Sequence, residues 1–284
     1  MGDWLLHKFP ERVDVAGMLA ASRFVYDDAS PVRPTDTYAP HTFVWFHRDL
    51  REEVAVPGEL RVVHRDERIL VVDKPPFLAT IPRGNHVRQS VVVRLRDELG
   101  LPEAAPLHRL DRVTSGLLLV ATERRWRGPY QSLFEQRAVR KTYRALAPWR
   151  DDLTFPVTVR NHLRKERGQH QAEIVAGLPV NAESVVEVEE RLGDRAVYRL
   201  TPITGRTHQL RLHLLSLGIP IVGDPLYPEV LDTSIDDFSA PLQLLASELS
   251  FTDPVDGTER RFRSARQLPL LSEGVAPSGS SRDG

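Results

Sequence analysis

Between His108 and Ser115 the chain places His108, Arg109, Asp111, Arg112, Thr114 and Ser115. Six polar or ionisable groups in so short a stretch can do chemistry. Asp111 is the one carboxylate among them, and an ionised Asp can act as a nucleophile or as a base. Arg109 and Arg112 flank it, and two guanidinium groups are expected to hold it ionised. A second cluster follows at Thr204 to Tyr227. There His208 and Arg211 stand three apart, which puts both on one face of a helix. Between the clusters, Tyr143 lies on a strand-like run, facing away from Arg144. A tyrosine there can stack on a flat base and handle a proton.

Other chemistries find no support in the sequence. There is no G-x-S-x-G, G-x-x-x-x-G-K or G-x-G-x-x-G, so a hydrolase elbow and nucleotide cofactors are not expected. Cysteine is absent, which removes disulfides, thiolate metal sites and a cysteine nucleophile. His108, Asp111, His208 and His213 are candidate metal ligands. However, His208 and His213 are five apart, whereas zinc-binding helices space their histidines by four. Asp111 has no acidic neighbour, so a two-carboxylate glycosidase is also unsupported. The expectation is no metal and no cofactor.

The elements that must position these groups can be read from the pattern. Gly116 is followed by the apolar run Leu117 to Ala121, which reads as a strand buried on both faces. The polar cluster therefore sits at the mouth of a core strand. Leu60 to His64 and Ile69 to Val72 read as a hairpin, stopped by Pro75 and Pro76. Ser90 to Leu99 reads as a helix capped by Ser90 and closed by Gly100. Residues 126–138 carry an aromatic helical stripe, and Arg140 to Ala147 is a strand. Arg160 to His170 reads as a mobile basic hairpin or loop. Strands are expected at Val185 to Glu190, Val197 to Ile203, Leu242 to Ala246 and Glu248 to Thr252. Thr207 is the expected cap of a helix with Leu210, Leu214 and Leu217 buried, closed by Gly218. No repeat is visible. Many strands, few helices and no regular βαβ alternation predict an α+β domain on a mixed, mostly antiparallel sheet.

Composition adds limits. Of 284 residues, 41% are hydrophobic and 27% charged, an ordinary globular mixture. No apolar run approaches the ~20 residues that span a bilayer, and the N-terminus does not read as a secretory signal. Cytoplasm is the expected compartment. Net charge is −1, but Arg83 to Arg144 holds 13 basic against 6 acidic residues, a local +7. Met1 to Pro57 holds 6 against 9, or −3. A basic block in a neutral chain predicts a polyanion-binding face. Three parts are expected: a small N-terminal module over 1–57, a catalytic domain over 58–271, and a disordered tail over 272–284. Val54 to Pro57 reads as the linker.

The motif HRLDRVTSG at 108–116 resembles the signature of the RluA-type pseudouridine synthases. DKPP at 73–76, KTYRA at 141–145 and GRTHQLRLHLLSLGIPIVGDPLY at 205–227 extend the resemblance, in the family's order, over roughly residues 60–252. The resemblance implies the pseudouridine synthase fold and isomerisation of uridine in structured RNA, rRNA or tRNA, with the target base flipped out. It makes Asp111 the catalytic residue, attacking C1′ or removing a ribose proton. Tyr143 would stack on the uracil and assist loss of the C5 proton, and Arg211 would salt-bridge the aspartate. Arg109 would fill the gap left by the flipped nucleotide. Arg112, Thr114, Lys141, Arg206 and His208 complete the expected RNA-binding set, His208 being equally readable as structural. The module resembles a degenerate αL-type RNA-binding unit. A monomer is expected. The rival reading is a non-catalytic RNA-binding or folding factor on the same fold.

Overall fold

The computed structural model describes residues 1–9, 13–47, 49–84 and 86–272. The chain divides into two compact units, the first being Met1–Glu52 and the second beginning at Glu53, rather than after Pro57. In the first unit, helix α1 (Gly2–Lys8) and helix α2 (Val15–Ala20) accompany a two-stranded ladder of β1 (Phe24–Val25) and β2 (Trp45–Phe46). Asp14 caps α2 by accepting the Gly17 N–H at 2.9 Å. Leu5, Val15, Met18, Leu19, Phe24 and Val32 form its core. The sequence reading missed α1, whose Trp4-Leu5-Leu6 run shows no full helical period.

Val54 to Pro57 is docked, not a free linker. The Glu53 carboxylate accepts the N–H groups of Val87, Arg88 and Gln89. Val56 is buried, and its N–H donates to the Gln89 side chain.

The second unit runs β3 (Arg61–Arg65), β4 (Ile69–Lys74), α3 (Val91–Leu99), β5 (Ala105–Pro106), β6 (Ser115–Ala121), α4 (Arg124–Glu135), β7 (Arg140–Pro148), β8 (Val157–Asn161), β9 (Leu163–Arg164), β10 (Glu173–Ile174), β11 (Ala182–Leu192), β12 (Arg195–Pro202), α5 (Gln209–Ser216), β13 (Leu244–Thr252), β14 (Glu259–Arg263) and α6 (Pro269–Ser272). Among the described residues, ten strands form one sheet with the path β3-β4-β6-β13-β7-β12-β11-β8. Every pairing is antiparallel except β6 with β13. This is the mostly antiparallel α+β architecture that the strand pattern predicts. The two final strands of the sequence reading are one strand, β13, irregular between Ala246 and Glu248. β14 was not anticipated; its ERRFR sequence leaves a single apolar residue to mark it. The expected disordered tail lies outside the described residues, apart from Ser272.

β6 is buried along its whole length. Leu118 and Val120 face one core with α3, α5 and Tyr143. Leu117 and Leu119 face another with Tyr130 and Leu133 of α4. The polar cluster therefore opens on the α3 and α5 side of the sheet. Gly116 makes the parallel pairing possible. Its φ is +109°, and a Cβ there would lie 2.3 Å from the Ala246 carbonyl oxygen. Among the described residues no helix is long and apolar enough to cross a membrane.

Candidate active site

Asp111 sits on the Leu107–Thr114 loop that enters β6. Two anchors were missed by sequence reasoning. Thr80 donates its hydroxyl to the Leu110 carbonyl at 2.8 Å and accepts the Leu110 N–H at 3.2 Å. Lys74, fully buried, donates to the carbonyls of Pro75, Leu78 and Arg112 at 3.0, 2.8 and 3.1 Å. Burial pushes the Lys74 pKa far down, countered in part by the Asp111 charge. A lysine ending an apolar strand before two prolines was the available signal; nothing marked Thr80. Leu110 and Val113 are buried on either side of Asp111. His108 stacks on Phe134 with centroids 4.9 Å apart, and its Nε2 accepts the Leu119 N–H at 3.1 Å. Burial, then the Lys141 charge, lowers its pKa to about 3, so the ring is neutral.

The partner of Asp111 is Arg211, not its sequence neighbours. Arg211 Nη1 donates to Asp111 Oδ2 at 3.1 Å. Arg109 is exposed, and the Arg112 guanidinium lies over the Phe77 ring at 5.5 Å. The expected flanking pair is therefore replaced by a group from another element: adjacent side chains on a tight loop diverge, whereas α5 aims Arg211 directly. Arg211 is itself fixed by Asp224, with Nε to Oδ2 at 2.7 Å and Nη2 to Oδ1 at 2.6 Å. The Asp224 carboxylate also accepts the N–H groups of Leu226 and Tyr227. Burial opposes the Arg211 charge, but the bonds and charge of Asp224, then Asp111, keep its pKa raised. Both members of that inner pair are 2% exposed, whereas the Asp111 side chain is 30% exposed. Only the outer carboxylate can meet a ligand.

Thr207 does not cap α5. The cap is His208, in the left-handed region at φ +57°. The Gln209 Oε1 accepts from the Arg206 N–H and the Thr204 hydroxyl, tying the preceding turn to the helix start, and no side chain caps α5. His208 Nε2 lies 3.9 Å from Asp111 Oδ2, and Nδ1 meets the Tyr227 hydroxyl at 2.8 Å. Burial lowers the His208 pKa to about 4.

Tyr143 lies on β7 with its ring in the core that holds Leu110 and Leu210. Its hydroxyl has no hydrogen-bond partner among the described residues. Burial, then the Asp111 charge, pushes its pKa up, so the phenol stays protonated. Lys141, two residues earlier on the same face, is largely buried with its Nζ 6.0 Å from the Phe134 ring centroid. Burial lowers its pKa. Arg206 is exposed and donates through Nε to the Asn181 carbonyl. Thr114 is buried, its N–H bonded to the Asp111 carbonyl at 3.1 Å, which closes the turn. In the basic 160–170 stretch, Arg160 and Arg164 pair with Glu183 and Glu173, and β9 pairs with β10. The expected hairpin is therefore present, with two of its arginines already paired to glutamates.

A carboxylate on a pinned loop, one guanidinium N–H on it, and a protonated phenol beside it form a site for nucleophilic or base chemistry on a ligand from solvent. The model of the RNA pseudouridylate synthase family matches residues 68–216. A dual-specificity RNA pseudouridine synthase RluA of Yersinia pestis is 32% identical over 218 residues, 71% of this chain and 97% of that protein. A ribosomal large subunit pseudouridine synthase D of Pseudomonas aeruginosa is 31% identical over 77% of this chain and 70% of its own length. Human RNA Pseudouridylate Synthase Domain Containing 1 superposes with a TM-score of 0.60 at 28% identity, covering 74% of this chain and 86% of that one. With its aspartate, tyrosine and arginine converging from three of the four motifs, the chain belongs to the RNA pseudouridylate synthase family.

Proposed function

We propose that this chain isomerises uridine to pseudouridine in structured ribosomal or transfer RNA in the cytoplasm, as a monomer, with Asp111 as the group that acts on the ribose. The observation that carries the assignment is the Asp111–Arg211–Asp224 chain of ion pairs, in which only the first carboxylate is open to solvent. The N1–C1′ bond breaks, the uracil turns within the site, C5 bonds to C1′, and the C5 proton is lost as N1 gains one. Atoms balance within the nucleotide, and no electron acceptor is needed. Asp111 attacks C1′ or removes a ribose proton. Arg211 fixes the carboxylate's orientation. The protonated Tyr143 offers a flat face for the uracil and a hydroxyl for proton handling. The base must leave its stack to bring C1′ to the loop. Arg109, exposed beside Asp111, is assigned the vacated space, and Lys141, Arg206 and Arg112 are assigned to the RNA backbone. The relatives, one named dual-specificity and one named for the large ribosomal subunit, support rRNA or tRNA as the target. The N-terminal module, net −3 over residues 1–57, serves a structural role rather than an RNA grip.

The test is Asp111→Asn. Tritium release from [5-³H]uridine-labelled RNA should vanish, while RNA affinity changes less than about threefold. Undiminished release would remove Asp111 from the chemistry.

A further inference from the structure

Tyr227 bears on the catalytic loop through one bond that the mechanism above leaves unused. Its hydroxyl accepts the Ala172 N–H at 2.7 Å, and the Ala172 carbonyl lies 2.9 Å away as the acceptor for its proton. The remaining lone pair faces His208 Nδ1 at 2.8 Å. A phenol has one proton to give and two lone pairs. With the proton on Ala172, Nδ1 must be the N–H donor and Nε2 must be bare. The ring is neutral at working pH, because burial holds its pKa near 4. Its orientation is fixed by an edge-on contact with the Tyr227 ring, centroids 5.6 Å apart, and by a backbone at φ +57°. Non-glycine residues in that region are uncommon and gather at functional sites.

Nε2 and Asp111 Oδ2 are thus two acceptors 3.9 Å apart, too far for a direct bond. A hydroxyl about 2.8 Å from Nε2 fits beside the carboxylate, with its one proton given to the nitrogen. The ribose carbon next to C1′ carries such a group. With Asp111 acting at C1′, a group on the neighbouring ribose carbon comes within reach of a side chain 3.9 Å from that carboxylate.

We propose that His208 is a specificity-determining residue that accepts a hydrogen bond from the ribose 2′-hydroxyl of the target nucleotide, with Tyr227 setting the ring tautomer that makes this possible. The site then distinguishes RNA from DNA at the reacting nucleotide. The inference rests on Asp111 being the group that meets the ribose.

The test uses a synthetic RNA stem–loop that the wild-type enzyme converts at a mapped uridine. Two inert competitors are compared as inhibitors: the product RNA, and the same RNA carrying 2′-deoxypseudouridine at that position. The wild type should bind the deoxy form roughly tenfold more weakly, the loss of one neutral hydrogen bond. In His208→Asn, which tolerates the left-handed backbone but cannot reach, the ratio should fall to within about twofold of one. In Tyr227→Phe it should fall likewise, because a protonated Nε2 turns its N–H to the Asp111 carboxylate and no longer accepts from the sugar. Inhibition constants do not depend on the fraction of folded enzyme, so partial misfolding does not mask the result. A tenfold ratio persisting in both variants, or a ratio of one in the wild type, overturns the role of His208. A wild type that forms no pseudouridine in any RNA overturns the proposed function instead.

Discussion

Asp111 faces a guanidinium whose charge is already shared with Asp224. Arg211 gives two N–H bonds to Asp224 and one to Asp111, so the reactive carboxylate is oriented without being fully neutralised. Arg211→Lys tests this. A lysine keeps the charge but cannot bridge both carboxylates with a planar fork, so turnover should fall at least about tenfold with RNA affinity little changed. Separate kcat and KM values from steady-state assays read the split. Asp224→Ala should be worse for the fold than for binding. It leaves a guanidinium that is 2% exposed without its main partner, and removing one member of a buried ion pair costs roughly 3–5 kcal/mol; urea unfolding measures it. The sequence showed Asp111, Tyr143 and Arg211 as residues of the right type, and the resemblance joined them. It did not show that Arg109 and Arg112 turn away, because adjacency along a chain says nothing about where side chains on a tight loop point.

The catalytic loop is held by parts of three elements, and each part is a place to loosen it. Thr80→Val keeps the shape while deleting the bond pair to Leu110. That should destabilise the chain by about 1–3 kcal/mol and lower kcat through a less well-placed Asp111, as thermal melts and steady-state rates would show together. Gly116→Ala should be far more damaging. Its Cβ meets the Ala246 backbone at 2.3 Å and its φ is +109°, so either β6 separates from β13 or the loop is displaced. Loss of soluble folded protein on expression is the expected outcome. Strands with strong apolar runs, β4 and β6, were legible because burial on both faces leaves a continuous signature. β14 and α1 were not, since a charged edge strand and a short mixed helix carry no period. The segment capped at Thr207 and closed at Gly218 was recognised as a helix, but its start was set one residue early. Its cap residue is His208 in a left-handed conformation with no side-chain bond to the helix, and capping rules do not encode that arrangement. The parallel β6–β13 pairing joins residues more than a hundred positions apart, and the sequence reading did not anticipate it.

Charge and ionisation act over the whole molecule. Burial holds His108, His208 and His213 neutral, with pKa values near 3, 4 and 4 against 6.5 for a free ring. In each case the folded value lies below the unfolded one. The unfolded chain therefore takes up protons first as pH falls, and stability drains between about pH 6.5 and the folded pKa. The contribution is complete above pH 7 and should be lost at roughly 1.4 kcal/mol per pH unit per histidine below pH 6. The direction is the reverse of a histidine stabilised by a carboxylate. His213→Gln isolates one share: it can keep a bond to Asn161, which His213 Nε2 meets at 3.1 Å, yet has no proton to gain. Urea unfolding at pH 7.0 and pH 5.0 should show a smaller drop for the variant by about 2 kcal/mol. An equal drop in both would mean that His213 is protonated in the fold despite its burial. The same neutral rings leave the basic side chains to meet RNA, and at Lys141 burial weakens the hold on a proton. Engaging a phosphate would restore that hold. Lys141→Met should therefore weaken every RNA about equally and reduce the slope of log affinity against log salt by about one. Anisotropy titrations at several potassium chloride concentrations read that slope, and an unchanged slope would place Lys141 away from the RNA backbone.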